Sequence, residues 1–212
     1  MIQMLFEEHP PAGENLSPGF PDWSKTMKMT LTKLDSPLGQ LLLVTDDDGV
    51  LRALDFADHQ ARFRRIMREH YGTDHELVEG APKGGAAQAL ERYFAGDLEA
   101  IEQVPTGNNG TEFQRKVWKA LDDIPVGSTT SYGALAKALG YDDPRAAIDI
   151  GAAVGANPVA VFVPCHRVIA KDGGLKGYAG GLHRKQWLLE HEHAIAAVVD
   201  AKPPEELSLP GF

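Results

Sequence analysis

The sequence predicts an α+β protein in two parts, a strand-bearing N-terminal half and a helical C-terminal half. Three observations carry that reading. Residues 31–56 hold two or three apolar runs broken at Ser36-Pro37-Leu38-Gly39 and Asp48-Gly49, the pattern of a β-hairpin or meander. Residues 105–110, PTGNNG, have the composition of a connection. Beyond them, successive segments open on helix caps and close on Gly or Pro. The expected divisions are a 1–28 extension, a 29–104 domain, the 105–110 linker, a 111–193 domain and a 194–212 tail.

Each element has its own signal. From His59 to His70, Phe63, Ile66 and Met67 recur on one face of a charged surface helix. Residues 72–83 read as a loop. Residues 85–95 form a helix stopped by Gly96. Thr111 caps a helix with Phe113, Val117 and Leu121 on one face. Ser131 caps a second, which stops at Gly140. Asp143 as cap and Pro144 at the first turn start a third, ended by Gly155-Ala156-Asn157-Pro158. The last two suggest a helix-turn-helix, although by spacing alone ordinary helix packing explains them better. VAVFV, 159–163, reads as a buried extended run leading to Cys165. A glycine-rich loop, 173–181, and a final helix follow, the helix with Leu182, Gln186 and Leu189 on one stripe.

A chain of 212 residues can bury roughly 70% of its unfolded surface, so it needs no disulfide or metal staple. Its single cysteine excludes an internal disulfide and makes a cysteine-based zinc site a poor expectation. A lone thiol fits a reducing, cytoplasmic compartment. Glu7 and Glu8 interrupt the only apolar run near the start, so a signal peptide is not expected, and no stretch approaches the roughly 20 apolar residues of a membrane span. The net charge of −9 argues against indiscriminate nucleic-acid binding. Yet residues 111–192 carry ten Lys and Arg against nine Asp and Glu, a net of +1, which leaves −10 on the rest and permits a basic patch on the C-terminal half.

The chemistry gathers at VPCHRVIAKDGGLKGYAGG, 163–181. A cysteine attacks as thiolate, so its pKa, about 8.5 when free, should be lowered by a cationic or hydrogen-bonding neighbour. His166 is adjacent, but neighbours in an extended segment point to opposite sides, so it should act through a turn or a bridging water. A carboxylate behind it would fix its tautomer, and Glu190 or Glu192 on the last helix are the candidates. Taken alone, a single cysteine is more often a buried, inert core residue.

Pro164-Cys165-His166-Arg167-Val168 resembles the active-site signature of the O6-alkylguanine-DNA alkyltransferases, the methylated-DNA–protein-cysteine methyltransferases. The likeness extends, in order, through Thr111 to Trp118, Ile124-Pro125-Val126-Gly127, Ser131-Tyr132-Gly133, Asn157-Pro158, Gly177 to Gly181, Arg184-Lys185, Leu188-Leu189 and His191-Glu192. Ser36 to Gly39 and Tyr93 to Gly96 are similar to the family's N-terminal domain, so coverage runs from about 30 to 193. The resemblance implies a ribonuclease H-like N-terminal α/β domain and a C-terminal helical domain with a helix-turn-helix. It implies irreversible transfer of an alkyl group from O6 of guanine, less readily from O4 of thymine, in double-stranded DNA to the protein's own cysteine, after base flipping. A monomer without cofactor or metal is expected.

Residue by residue, the resemblance makes Cys165 the nucleophile and permanent acceptor. His166 passes the thiol proton through a water, Glu192 polarises His166, and Asn157 braces the loop. Tyr132 meets the flipped nucleotide. The carbonyls of Cys165 and Val168 accept from the guanine amine, and Tyr178, Ala179, Gly180 and Arg167 complete the substrate set. Ser131, Arg145, Ala146, Ala147, Ile148 and Gly151 face DNA. One departure stands out: where the family carries an arginine that fills the gap left by the flipped base, the register puts Ile148, followed by Asp149, with Arg145 one turn earlier. An apolar wedge can fill such a gap. The alternatives are a lesion-binding protein without transfer, whose known kind lacks the cysteine present here, a Cys-His hydrolase, and a redox thiol, which the absence of a resolving cysteine disfavours.

Overall fold

The structure, a computed structural model, describes residues 27–73 and 75–196. Almost all of the expected 1–28 extension and most of the 194–212 tail lie outside the described residues.

The predicted meander is present: β1 (Lys28–Leu34), β2 (Leu41–Asp46) and β3 (Leu51–Phe56) pair antiparallel in sequence order. A fourth strand, β4 (Glu76–Glu79), adds parallel to β1, giving the order β3-β2-β1-β4. It falls where a loop is expected from the sequence, because an exposed edge strand of four residues, ELVE, leaves no alternation of burial to read. Alternation in β2 serves two cores. Leu41 and Leu43 face one cluster and Leu42 and Val44 the other. The smaller cluster lies under α1 (Gln60–Tyr71), through Phe63 and Met67. The larger joins the sheet and α2 (Ala86–Phe94) to the whole C-terminal half, through Leu54, Phe56, Leu90 and Tyr93 against Val117, Leu121, Ile150, Val163 and Leu188.

The outer edge of β3 organises the rest. The Leu51 amide donates to the Pro105 carbonyl and the Gly107 amide to the Leu51 carbonyl, both at 2.9 Å, so the start of the 105–110 segment is bridged to the sheet edge. Leu54 repeats this with the segment ahead of Cys165: its amide donates to the Pro158 carbonyl, and the Ala160 amide donates to its carbonyl. The N-terminal sheet thereby fixes the height of the cysteine loop.

In the C-terminal half, α3 (Glu112–Asp122) opens on the expected Thr111 cap, made reciprocal by Gln114. Ser131 caps α4 (Tyr132–Ala138) by accepting from the Ala134 amide. The third helix, α5 (Ala146–Gly155), starts later than Asp143-Pro144 suggests. The Asp143 carboxylate closes a turn on the Arg145 amide, and the helix proper begins one residue beyond. VAVFV is buried but not extended. It folds into a turn in which Val161 takes φ +72°, a costly left-handed conformation for a β-branched residue. A 3-10 turn over Cys165–Arg167 follows, then the short parallel pair β5 (Thr130–Ser131) and β6 (Val168–Ile169). The last helix, α6 (Leu182–His191), buries Arg184, Lys185, Leu188 and Leu189, whereas Leu182, expected on the inner stripe, is exposed. Arg184 and Lys185 take that inner position because buried acceptors meet both, as described below.

Candidate active site

Cys165 is buried at the first position of the 3-10 turn, on the wall of a cavity of about 220 Å³ lined by Tyr132, Gly151, Val154, Gly155, Gly177, Tyr178 and Ala179. The small residues of α5 give the cavity its depth. Gly151 lies against the Tyr132 ring, where a Cβ would already be in contact at 3.8 Å. Another cleft, of about 330 Å³, lies beside Arg167 and Asp122, and Cys165 is not among its lining residues.

The thiol is gripped from the Asn157 side. Asn157 Nδ2 donates to the sulfur at 3.1 Å and to the Val163 carbonyl at 2.9 Å, while its Oδ1 accepts from the Val159 amide. Contrary to the sequence expectation, the Cys165 pKa is raised. Burial outweighs the Asn157 hydrogen bond and the charges of Arg62 and Lys185, which act the other way. The resting group is the thiol, and its proton has to be removed as reaction proceeds.

His166 lies next in the turn, fully buried, with Nε2 donating to Glu192 Oε1 at 3.0 Å. Its Nδ1 is buried and meets no protein partner among the described residues. The reason it does not stack directly on Cys165 is the 3-10 turn, not the extended chain assumed from the sequence. Burial lowers its pKa, against the opposing pull of Glu192, so the imidazole is neutral and able to accept a proton. Burial pushes Glu192 upward, but hydrogen bonds from Arg167 and His166 outweigh it and hold the carboxylate well below its ordinary range. Glu190, the other candidate, sits on α6 bonded to Gln186.

The other expected residues divide. Tyr132, Tyr178 and Ala179 line the cavity, and Tyr132 donates weakly to the Lys176 and Gly177 carbonyls. Val168 is fully buried and is not among the residues that line the cavity, and its carbonyl is held by Lys185 Nζ at 2.6 Å. Gly180 is not on the cavity wall. It packs against Phe56, where a Cβ would fall 2.2 Å from a ring carbon. Arg167 points away as well: buried, it binds both oxygens of Glu192 and the Ile124 carbonyl. Of the expected DNA-facing set, Gly151 is on the cavity wall and Ser131 is committed to its cap. Arg145 is exposed beside half-buried Ala146 and Ala147, and Ile148 is 73% exposed, the most exposed large apolar residue among those described.

Three contributors carry no assigned role in the sequence reading, although Lys185 and Tyr93 lie in segments that resemble the family. Arg62, on a helix read as a surface element, donates to the carbonyls of Asn157 (2.9 Å) and Gly155 (3.3 Å) and pairs with buried Asp55 at 2.7 Å. Lys185 is fully buried, its ammonium on the carbonyls of Val168, Lys176 and Gly177. Burial brings its pKa down to about 8, which leaves it mostly charged at neutral pH. Tyr93, from α2, donates to Glu192 at 2.8 Å. Among the described residues no three His, Cys, Asp or Glu side chains are placed to share a metal, and no helix is long and apolar enough to cross a membrane.

Residues 29–107 match the ribonuclease-like domain of 6-O-methylguanine DNA methyltransferase, and residues 112–194 match the DNA binding domain of the same family. Among curated proteins, the methylated-DNA–protein-cysteine methyltransferase of Shigella flexneri is 42% identical over 78% of this chain and 96% of its own length. That of Salmonella typhimurium is 44% identical over the same shares. Among solved structures, Mycobacterium tuberculosis OGT in complex with DNA superposes with a TM-score of 0.65 at 40% identity, covering 78% of this chain and 93% of that one.

Proposed function

We propose that this chain, which belongs to the 6-O-methylguanine DNA methyltransferase family, repairs O6-alkylguanine, and less readily O4-alkylthymine, in double-stranded DNA by moving the alkyl group onto Cys165. The observation that carries this reading is the single thiol on the wall of a base-sized cavity, bonded by Asn157 and backed by the His166–Glu192 pair.

The cavity admits one flat group, so the damaged nucleotide leaves the stack to enter it. Nδ1 of His166 takes the thiol proton, through one water, while Glu192 steadies the imidazolium that forms. The Cys165 sulfur attacks the alkyl carbon as the carbon–O6 bond breaks. The bonding pair goes to guanine, which takes a proton from Tyr132 on the cavity wall, and the proton left on His166 returns through solvent to restore the phenol. The carbonyls of Cys165 and Val168 accept from the exocyclic amine, with Tyr178 and Ala179 on the walls. The product is a thioether, so each molecule acts once.

The exposed start of α5, with Arg145, Ala146, Ala147 and Ile148, meets the duplex, and Ile148 fills the space the base vacates. The lone free thiol supports a reducing, cytoplasmic setting.

The test is intact-mass analysis after mixing with duplex DNA containing O6-methylguanine. One methyl group per chain is expected, mapped to Cys165 and absent from Cys165→Ala. Tight DNA binding with an unchanged mass would instead make this a lesion-binding protein.

A further inference from the structure

Glu192 is surrounded by more donors than a positioning carboxylate needs. Oε1 receives the Tyr93 hydroxyl at 2.8 Å, an Arg167 terminal nitrogen at 2.9 Å and His166 Nε2 at 3.0 Å. Oε2 receives Arg167 Nε at 2.8 Å. Tyr93 comes from α2 in the N-terminal half, 99 residues away in the chain, and all three partners are buried. Its ring is fixed edge-on by Phe94 and His191, and His191 Nε2 donates to its backbone carbonyl at 2.7 Å. Burial, together with the charge of Glu192, raises the phenol's pKa far above its ordinary value, so the hydroxyl stays a donor.

We propose that Tyr93 is a positioning residue for alkyl transfer: by occupying Oε1 of Glu192, it limits how strongly that oxygen can hold a proton on His166. The inference rests on the role given to His166 above. Three donors share one oxygen in a water-excluded site, and each, by stabilising the carboxylate charge, lessens the pull that oxygen exerts on the others. Removing the hydroxyl leaves the Glu192 charge less satisfied, and the group able to make up the difference is His166, by becoming imidazolium. A protonated His166 cannot accept from the thiol. The other charged or titratable groups facing the pair are Arg167 and Cys165 in the turn, Lys185 and His191 on α6, Tyr178 in the glycine loop, and Asp122 on α3, which lies nearer Arg167. None of these gains or loses a direct bond when Tyr93 becomes Phe. The N-terminal half thus reaches the chemistry without lining the cavity.

The experiment compares native protein with Tyr93→Phe, which keeps the ring and its packing. His166 is titrated by NMR of labelled imidazole, and single-turnover alkyl transfer is followed from about pH 5 to about pH 9. The expected result is an upward move of the His166 titration and of the acid limb of the rate profile by about half a pH unit, so transfer falls about threefold on that limb and recovers at high pH. Site-specific 3-fluorotyrosine, a stronger donor, moves both the other way. Superimposable titrations, or a loss uniform in pH that merely tracks a lower melting temperature, overturn the inference. If native protein takes no methyl group, the proposed function fails instead, while the imidazole titration still decides the role of Tyr93.

Discussion

A single amide group, Nδ2 of Asn157, donates both to the Cys165 sulfur and to the carbonyl of Val163 two residues ahead of it, at 3.1 and 2.9 Å. Nucleophile and approach segment are therefore set by one side chain. A hydrogen bond to sulfur is stronger when the sulfur is charged, so this contact gains strength as the thiolate forms. Asn157→Ala is expected to slow single-turnover transfer by roughly 10- to 150-fold, the value of about 1.5–3 kcal/mol for a bond to a charged group. It also lowers stability, because the Val159 amide loses its acceptor. A rate unchanged once the folded fraction is accounted for would reduce Asn157 to a brace for the loop.

Ile148 makes a separable prediction. It stands exposed one turn before Gly151, which lines the cavity, and takes no part in the core. Ile148→Ala should slow transfer from duplex DNA severalfold and leave reaction with a free O6-alkylated guanine base unchanged. Ile148→Arg should keep the duplex reaction and steepen its salt dependence by about one unit of logarithmic slope, the effect of one added phosphate contact. Loss with both substrates in Ile148→Ala would place the residue in the cavity's structure, not at the DNA.

Glu192 ties pH to stability. Its folded pKa lies below the ordinary 4.5, so the folded state binds fewer protons there than the unfolded one. That contribution is fully present above about pH 4.5 and is lost as the pH falls toward the folded value. Glu192→Gln leaves Arg167 buried without its counter-charge and is expected to lose about 3–5 kcal/mol at neutral pH. The difference between native and variant should shrink as unfolding is measured at progressively lower pH. A constant difference across that range would mean the carboxylate charge is not what stabilises.

The readable parts of this molecule were those whose cause is local. Thr111, Ser131 and Gly96 announce helix ends because capping and left-handed glycine are properties of a few adjacent residues. Cys165, His166 and Glu192 were legible through a motif. What escaped was set by distant partners. Arg62 and Tyr93 look like a surface charge and a core aromatic until the fold brings them to Asn157 and Glu192. Arg167, two residues past the cysteine, belongs with the substrate by resemblance, yet the 3-10 turn swings it onto Glu192. The turn over 159–163 was hidden for the opposite reason. An apolar β-branched run has strand propensity, and the bonds from Leu54 and within the loop override it.

Gly180 gives the clearest test of substrate contact against packing. Its missing side chain is occupied by Phe56, with a Cβ falling 2.2 Å from one ring carbon and 2.8 Å from a Tyr178 ring carbon. Phe56 cannot easily move aside. It is buried in β3, and the Arg184 guanidinium lies 4.1 Å above its ring, itself held by the Leu38 and Gly180 carbonyls and by Asp58. Gly180→Ala is therefore expected to cost about 1–3 kcal/mol in unfolding free energy, the usual penalty of overpacking. It should also slow transfer, because the displaced loop carries Gly177, Tyr178 and Ala179 on the cavity wall. Phe56→Leu makes room at that ring position, so the double variant should recover part of both losses, a non-additivity of the kind expected for residues in contact. Were Gly180 needed for the substrate itself, the larger pocket behind it would restore stability and leave transfer slow.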